Sequence, residues 1–502
     1  MADTKREIER KYESDESGLP DLTGVAGVAE VIDKGVAQLD ATYYDTVDER
    51  LAASSVTLRR RTGGSDAGWH LKFPVSPGVR DEIQAPLSDD LPGDLAGLVR
   101  SRVRDAELVP VVRLRSDRDV RDLVDAEGRV LAEVSVDAVR AERLSGGSGT
   151  AQWTEIEVEL ADDVDPVLLD KVEKRLRKAG VRPSKSASKL ARALAETAPK
   201  KRKLASGSAE EAVTAGDHVL AYVRAQRDAI VDLDPAVRQD VEDSVHSMRV
   251  ATRRLRSTFK SFGKVLDRAV TDPIGDELKW LAGELGVDRD REVLNERLLT
   301  ALDEVPSALV SGPVAERVSK WAGDSPGGAS GRLIGVLDSH RYLALLDTLD
   351  AVLTDPPLRE AAGKKPGKVL PKAVKKDFRK VARLVEQALE LDPGSDRDVA
   401  IHEARKKTKR TRYAAEAATP ALGKPAKDLV KTMKSLQNLL GEHQDSVMAR
   451  GTLRELSAVA HAAGESAFTY GLLYGREEQR AAAVEAELPG FWAGTKGATE
   501  VL

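Results

Sequence analysis

Glu7-Ile8-Glu9-Arg10-Lys11, almost at the start of a 502-residue chain, is the stretch on which the reading of the fold turns. As a strand it sends Glu7, Glu9 and Lys11 to one face and Ile8 and Arg10 to the other. Neighbours on one face then recur every ~6–7 Å. Carboxylates at that spacing can share a hard cation such as Mg2+ or Mn2+, which prefers oxygen ligands and keeps waters for a phosphate to displace. The ammonium beside them suits the phosphate itself. A charged segment on a solvated face has the same pattern. What decides between the two is whether the rest of the chain supplies charges in phase.

It does so repeatedly. Val56-Thr57-Leu58-Arg59-Arg60-Arg61 and Gly68-Trp69-His70-Leu71-Lys72-Phe73 flank Gly63-Gly64-Ser65-Asp66, the turn chemistry of a hairpin. Arg59 and Arg61 share one face of it, and Lys72 joins them from the second strand. Arg80 and Glu82 follow in phase, then Arg113 and Arg115. Two longer strands, Val130 to Arg143 and Trp153 to Leu160, carry Glu133 and Asp137, then Glu155, Glu157 and Glu159. In the last of these Ile156, Val158 and Leu160 make an apolar row, while the other row is wholly ionisable. A sheet with one dry face buries its apolar row and solvates the other. Charges matched in sign across strands fit an antiparallel barrel better, with the apolar row packed outward against helices and a charged lumen that holds a linear polyanion and its metal.

Composition limits the partners. Charged residues make up 32% of the chain, hydrophobic ones 41% and aromatics 4%, with a net charge of −5. This is not a basic nucleic-acid binder, and it has few platforms for stacking bases. There is no cysteine, so disulfides, thiolate metal sites and cysteine nucleophiles are excluded, and a reducing compartment is expected. No apolar run reaches the length of a membrane span, and the first residues lack the apolar region of a signal peptide. The expectation is a cytoplasmic protein with no membrane and no specific nucleic-acid partner.

After Ala198-Pro199-Lys200-Lys201-Arg202-Lys203-Leu204-Ala205-Ser206-Gly207-Ser208, which reads as a linker, the pattern turns helical. From Val241 to Phe262, Val245, Met248, Ala251, Leu255, Phe259 and Phe262 gather on one side at 100° per residue. His246, Arg249, Arg253 and Arg256 fall on the other. Guanidinium groups so stacked repel one another by a few tenths of a kcal/mol per pair, which suggests an anionic ligand. The arrangement recurs. His402, Arg405, Lys409 and Arg412 answer to those four residues. Leu285-Gly286 and Asp290 are matched by Leu440-Gly441 and Asp445, so that Lys279 answers to Lys434. The second half is an internal duplication of helical units.

Both halves resemble known families. Glu7-Ile8-Glu9-Arg10-Lys11, Tyr44-Asp45-Thr46, Leu58-Arg59-Arg60-Arg61, Leu71-Lys72, Glu155-Ile156-Glu157-Val158-Glu159 and Ser184-Lys185-Ser186-Ala187-Ser188-Lys189 resemble, in order, the motifs of the CYTH family, the triphosphate tunnel metalloenzymes. That resemblance implies an eight-stranded antiparallel tunnel and Mg2+- or Mn2+-dependent cleavage of triphosphates. Glu7, Glu9, Glu155 and Glu157, with Asp137, would serve the metals, and Lys11 joins the four glutamates as catalytic. Lys11, Arg59, Arg61, Lys72, Arg80, Arg113, Arg115 and Lys185 would hold the phosphates. The duplicated half is similar to the CHAD family, the conserved-histidine α-helical domains, which implies two pseudosymmetric bundles that bind inorganic polyphosphate. His246, Arg249, Arg253, Arg256, Lys279, His402, Arg405, Lys409, Arg412 and Lys434 carry over.

The expected protein is therefore α+β and multidomain. A β-barrel over residues 1–196 and a linker over 197–208 precede an all-α domain over 209–490, made of two four-helix bundles at about 209–352 and 370–490. Its expected activity is hydrolysis of inorganic tripolyphosphate, with long-chain polyphosphate bound by the second half and association with polyphosphate granules. The alternatives are a nucleoside or thiamine triphosphatase, an adenylate cyclase, and a non-catalytic polyphosphate binder. The complete glutamate set argues against the last, since binding a polyanion needs no acidic cluster.

Overall fold

The structure is a computed structural model that describes residues 4–14, 18–198, 212–323 and 329–502. The chain forms two compact units, Met1–Gly207 and Ser208–Leu502. Of the expected linker, residues 199–208 lie outside the described residues.

The first unit is built on nine strands and four helices among the described residues. In chain order they are β1 (Thr4–Ser14), β2 (Glu30–Asp45), α1 (Arg50–Ala53), β3 (Thr57–Thr62), β4 (Gly68–Ser76), β5 (Val79–Pro86) and α2 (Gly93–Val103). Then come β6 (Val109–Val124), β7 (Val130–Arg143), β8 (Thr150–Leu160), α3 (Val167–Lys178), β9 (Arg182–Pro183) and α4 (Lys189–Glu196). The sheet runs β5-β4-β3-β2-β6-β7-β8-β1, and β1 also pairs with β5, so eight antiparallel strands close into a ring. Closure happens inside β1. Its residues Thr4–Ile8 pair with β5 and Glu9–Ser14 pair with β8. Where the strand changes partner, the Glu9 N–H donates to the Gly78 carbonyl at 2.9 Å. Gly78 has φ +77°, and a Cβ there would lie 2.8 Å from the Glu9 oxygen, so this corner needs glycine.

Alternation decides what faces in. Ile156, Val158 and Leu160 of β8, with Ala132 and Val134 of β7, pack outward against Leu168, Leu169, Val172 and Leu176 of α3. Leu58, Trp69, Leu71 and Ile83 do the same against Leu51 of α1 and Leu95, Leu98 and Val99 of α2. Each fully buried side chain of this size is worth about 1.5–3 kcal/mol, so the barrel is held from its outside. The inner row is charged along only part of its length. Toward one end Ala41, Tyr43, Leu114, Val139, Ala141 and Trp153 close over Leu190 and Ala193 of α4 and form an apolar floor.

The second unit is all-helical: α5 (Ala215–Arg238), α6 (Ser244–Ser261), α7 (Arg268–Glu284), α8 (Val287–Asp303), α9 (Val314–Gly323), α10 (Ala329–Leu337), α11 (His340–Thr354), α12 (Pro366–Glu390), α13 (Ser395–Leu422), α14 (Lys424–Ala462) and α15 (Phe468–Thr495). On α6 the apolar face expected from the periodicity is buried, with Met248, Leu255, Phe259 and Phe262 at 0–1% exposure. The later repeat is four long helices, α12 to α15. In the earlier one the counterpart of α14 is broken near Gly286 into α7 and α8. A single core joins the two repeats, running from Ala215 to Trp492 and including Met248, Leu278, Ile401 and Met433. A smaller core unites α8 and α9 with α14 and α15 through Leu298, Val314, Leu453 and Tyr470.

Candidate functional site

Above the apolar floor the barrel encloses a cavity of about 560 Å³. From β1 it receives Glu7, Glu9 and Lys11; from β3 and β4, Arg59, Arg61 and Lys72; from β5, Arg80 and Glu82. The far wall supplies Arg118 of β6, Glu133 of β7, and Glu157 and Glu159 of β8. Opposite charges pair across it. Lys72 Nζ is 2.5 Å from Glu7 and 3.4 Å from Glu82. Lys11 Nζ is 2.6 Å from Glu157 and 3.2 Å from Glu9. Arg118 forks onto Asp137 with two bonds of 2.8 Å and donates to Glu157 at 2.9 Å. Arg59 donates to the Tyr43 hydroxyl at 3.3 Å, and Arg61 pairs with Asp66 of the β3–β4 turn. Arg80 Nη2 donates to the Ala187 carbonyl at 2.8 Å and so tethers the segment before α4.

That segment delivers the group at the centre of the acidic wall. Ser188 caps α4 by accepting the Ala191 N–H at 3.0 Å, which makes Lys189 the first helical residue. Lys189 Nζ then lies 3.0 Å from Asp137, 2.8 Å from Glu155 and 2.6 Å from Glu157. On the next turn the Arg192 guanidinium lies over the Trp153 ring, 4.9 Å from its centroid. Trp153 Nε1 in turn donates to Glu155 at 2.6 Å.

Burial and neighbours set the protonation states. Burial raises Glu9, Asp137 and Glu157, but nearby cations outweigh it and hold all three carboxyls below the usual range. The leading ones are Lys11 for Glu9 and Glu157, and Lys189 for Asp137. Glu7 goes the other way. Burial, only partly offset by Lys72 and reinforced by Glu82 and Glu159, pushes it up to about 7. Arg61 is brought down to about 9 by burial, then by Arg59 and Arg118.

The donor chemistry fits a hard divalent cation. Asp137, Glu155 and Glu157 place ligand oxygens within 4.8 Å of one another, and the Lys189 ammonium already marks that point as a cation position. Glu7, whose buried carboxyl is pushed up from its usual range, is a group whose ionised form a dication would favour.

In the second unit the two basic stripes lie on α6 and α13, which pack together across the repeats. Arg254 donates to Glu416 at 3.0 Å, and Arg410 donates to Ser261 Oγ at 3.2 Å and reaches the Lys260 carbonyl. Each stripe is set by the same device. Arg249 pairs with Asp290 at 2.6 and 2.9 Å and lies against Gly286, where a Cβ would come 2.7 Å from Nη2. Arg405 faces Asp445 at 3.8 Å and lies against Gly441, where a Cβ would come 3.3 Å from Nη2. Among the described residues the Nε atoms of Arg249, Arg253, Arg256 and Arg405 are buried with no hydrogen-bond partner, and that of Arg412 has only the Glu416 carboxylate at 3.5 Å. Such donors are costly to leave unmet and call for an acceptor from outside. His402 is half-buried and held below its ordinary value, chiefly by burial and by Lys406. His246, Lys279 and Lys434 are exposed.

A CYTH domain family model matches residues 5–194, and a CHAD domain family model matches residues 221–454. The chain is a CYTH–CHAD protein. Uncharacterized proteins from two strains of Mycobacterium tuberculosis are 38% identical to it over 487 residues, covering 94% of this chain and 92% of theirs. Among solved structures, PptA from Streptomyces chartreusis is 21% identical with a TM-score of 0.48, over 56% of this chain and 99% of that one. The CHAD domain from the plant Ricinus communis is 24% identical with a TM-score of 0.44, over 58% of this chain and 94% of that one. The CYTH domain places the N-terminal unit among the triphosphate tunnel enzymes.

The CYTH tunnel gathers Glu7, Glu9, Lys11, Arg59, Arg61, Lys72, Arg80 and Glu157, with Asp137 and Glu155 bound to Lys189 at its wall. It does not gather three of the residues expected there. Arg113 and Arg115 point outward and share Asp40, at 2.6 and 3.5 Å. They alternate with Leu114, which belongs to the floor. Where the lumen is apolar, the apolar row of β6 faces in and the charged row faces out, so the rule that located the other strands reverses here. Past the floor the inward row reaches Arg118, which was missed. Lys185 is exposed, and the lysine of that motif that enters the wall is Lys189. The signal for it was Ser188, a helix cap directly before an amphipathic run. Asp45, buried, accepts the N–H groups of Thr46, Leu51 and Ala52 at 2.7–2.9 Å and fixes α1.

Proposed function

We propose that this protein hydrolyses inorganic tripolyphosphate in the CYTH tunnel and holds long-chain inorganic polyphosphate on the CHAD surface. The observation that carries the reading is the lining of the cavity. Nine basic and seven acidic side chains surround it, and its one aromatic among the described residues, Tyr43, lies at the floor with its hydroxyl on Arg59. A site built this way recognises phosphate oxygens and offers a base or a thiazole no face to stack on. This favours the inorganic substrate over nucleoside or thiamine triphosphates, and hydrolysis over cyclisation of ATP.

In this reading the end of the triphosphate enters toward the floor. Arg59, Arg61, Lys72, Arg80 and Arg118 take its oxygens, the guanidinium forks bidentately and the lysine as a point charge. The apolar floor and α4 limit water at the closed end. Glu7, Glu9, Glu155 and Glu157, with Asp137, would hold Mg2+ or Mn2+, which when bound neutralises phosphate charge and lowers the pKa of a coordinated water. Lys11 and Lys189 keep the acidic wall neutralised and stand ready for the charge that develops on the bridging oxygen as the anhydride breaks to pyrophosphate and phosphate. No helix among the described residues is long and apolar enough to cross a membrane. The proposal places the protein in the cytoplasm, where its CHAD surface would hold it on polyphosphate granules.

The test is phosphate release from tripolyphosphate, ATP, thiamine triphosphate and long-chain polyphosphate, each with Mg2+ and with Mn2+. Tripolyphosphate should show the highest kcat/KM. A preference for ATP or thiamine triphosphate would overturn the substrate assignment, and no release from any of them would leave a binding protein.

A further inference from the structure

The two basic stripes of the CHAD domain come from its duplication, but a third run of cations does not. On α12, Lys365, Lys368, Lys372, Lys376, Arg379 and Arg383 follow one another at intervals of three or four residues, and all are exposed. That spacing puts them on one face, over roughly 27 Å of helix. The opposite face anchors the helix: Leu370, Val374, Phe378, Val381 and Val385 lie in the core shared by the repeats. Between Lys364 and Arg383 the one acidic residue is Asp377, which is 2% exposed. None of the six ridge cations is in an ion pair among the described residues, whereas their neighbours Lys364 and Lys380 are paired with Glu360 and Asp377. α5, which precedes the first stripe as α12 precedes the second, exposes Asp217, Arg224 and Asp232, a mixed set. A solvated helix face commonly mixes signs in this way, because like charges three or four residues apart repel. A ridge of one sign keeps that repulsion until an anion is laid along it.

The ridge adjoins the end of the α6 stripe. Lys260, exposed, extends that stripe one turn beyond Arg256. Arg410 of α13 reaches the Lys260 carbonyl, and the same guanidinium donates to Asp377 of α12 at 3.0 Å. Ser261 Oγ donates to that carboxylate at 2.6 Å, and Lys380 Nζ lies 3.2 Å from its other oxygen. Lys376 is one turn before Lys380 on the same helix, so the last turn of the stripe is tied to the middle of the ridge.

Resting on the reading of the α6–α13 surface as a polyphosphate site, we propose that the exposed face of α12 is a second binding surface for the same polymer, and takes the length of a long polyphosphate chain that runs past Lys260. The partner follows from the chemistry of the face. Its ammonium and guanidinium groups suit phosphate oxygens. It has no exposed aromatic on which a base could stack, since Phe378 is 4% exposed. Its apolar side is committed to the core, so the helix cannot lay that side into a bilayer. A chain already held on the stripes meets the ridge at high effective concentration, so the gain belongs to chains long enough to reach it.

The experiment is titration of the full chain in EDTA with long-chain polyphosphate, short-chain polyphosphate and double-stranded DNA, over a series of salt concentrations. The variant is the triple Lys372→Gln, Lys376→Gln, Arg379→Gln, in which glutamine keeps helix propensity at exposed positions. Its affinity for long chains should fall about tenfold or more, and the slope of log affinity against log salt should flatten by about two, as three contacts to a flexible polyanion are lost. Affinity for short chains should stay within about twofold. In the wild type, long chains should shield Lys368, Lys372 and Lys376 from chemical acetylation, and short chains should not. Long-chain affinity unchanged in the variant, or acetylation unaffected by long chains, would overturn the proposal. So would equal losses for short and long chains, or DNA bound as tightly as polyphosphate through the same three residues. A wild type that binds neither chain would overturn the polyphosphate reading of the domain itself, and this inference with it.

Discussion

Lys189 Nζ lies 2.6 Å from Glu157 in the acidic wall of the tunnel, and the same ammonium bridges Asp137 and Glu155. The three carboxylates are 0–8% exposed, so the lysine is their counter-ion in a dry place. Removing one partner of a buried ion group costs about 3–5 kcal/mol, because the remaining charges are left uncompensated. Lys189→Met should therefore lose protection of the β7 and β8 amides in hydrogen exchange at pH 7. Mg2+ should restore more of it than in the wild type, since the cation position is then free. The pH dependence should change as well. Asp137 and Glu157 have folded values below their unfolded ones, so their stabilisation is present above about pH 4 and is lost as pH falls. Without Lys189 that depression shrinks, and the acid loss should be smaller. Unchanged protection in the variant would remove Lys189 from this role.

Glu9 is the carboxylate whose loss reports most directly on metal-assisted hydrolysis. It faces Lys11 at 3.2 Å and Arg80 at 3.9 Å, and its position in β1 is fixed by the closure at Gly78. Glu9→Gln preserves shape and removes charge. A mispositioned metal costs several kcal/mol of transition-state stabilisation, so phosphate release with Mg2+ or Mn2+ should fall by orders of magnitude. EDTA should do the same to the wild type. Wild-type turnover surviving either treatment would rule out the acidic cluster as the metal site.

Much of this is legible in the sequence alone, and what is not has a local cause. The alternation of Glu7, Glu9 and Lys11, the hairpin at Gly63-Gly64 and the apolar row Ile156, Val158, Leu160 all lie where the barrel wall has a charged inside and an apolar outside. There, period-two reading is unambiguous. Arg113 and Arg115 lie where the floor makes both faces of β6 partly apolar, and alternation alone cannot say which face is in. Lys189 is invisible to strand reading because it enters from a helix. In the CHAD domain the α6 stripe could be read from its 100° periodicity. The single core shared by both repeats could not, since a periodic face shows that it is buried but not against what.

The parity of β6 can be tested directly. Arg118 donates to Asp137 and Glu157 inside the tunnel, while Arg113 and Arg115 are held by Asp40 outside it. Arg118→Ala should lower kcat/KM for tripolyphosphate by about a hundredfold, near 2.7 kcal/mol, the usual loss for one charged transition-state donor. Arg113→Ala and Arg115→Ala should stay within about twofold. Arg61→Lys should fall between these, because the charge remains and the fork is lost. A large loss in Arg115→Ala with none in Arg118→Ala would invert the assignment.

The paired glycines offer a test of the polyphosphate surface that leaves every basic residue in place. Gly286 and Gly441 stand at equivalent positions, and each leaves room for the guanidinium of Arg249 or Arg405. A methyl group on Gly286 would come 2.7 Å from Arg249 Nη2, so the arginine has to swing away and give up its fork onto Asp290. At Gly441 the corresponding approach is 3.3 Å, and a shift of a few tenths of an ångström relieves it. Neither glycine has a positive φ, so alanine fits the backbone, and the cost falls on the arginine rather than on the fold. Polyphosphate affinity of the full chain should therefore weaken several-fold in Gly286→Ala and less in Gly441→Ala, with the thermal transition within a few degrees of wild type. In the double variant the loss should exceed either single loss, since a chain spanning both stripes depends on the two contacts together. The slope of log affinity against log salt should also flatten, because fewer phosphates are neutralised and fewer counterions released. Unchanged affinity in Gly286→Ala, or a slope that does not change in the double variant, would show that Arg249 and Arg405 do not contact the polyanion.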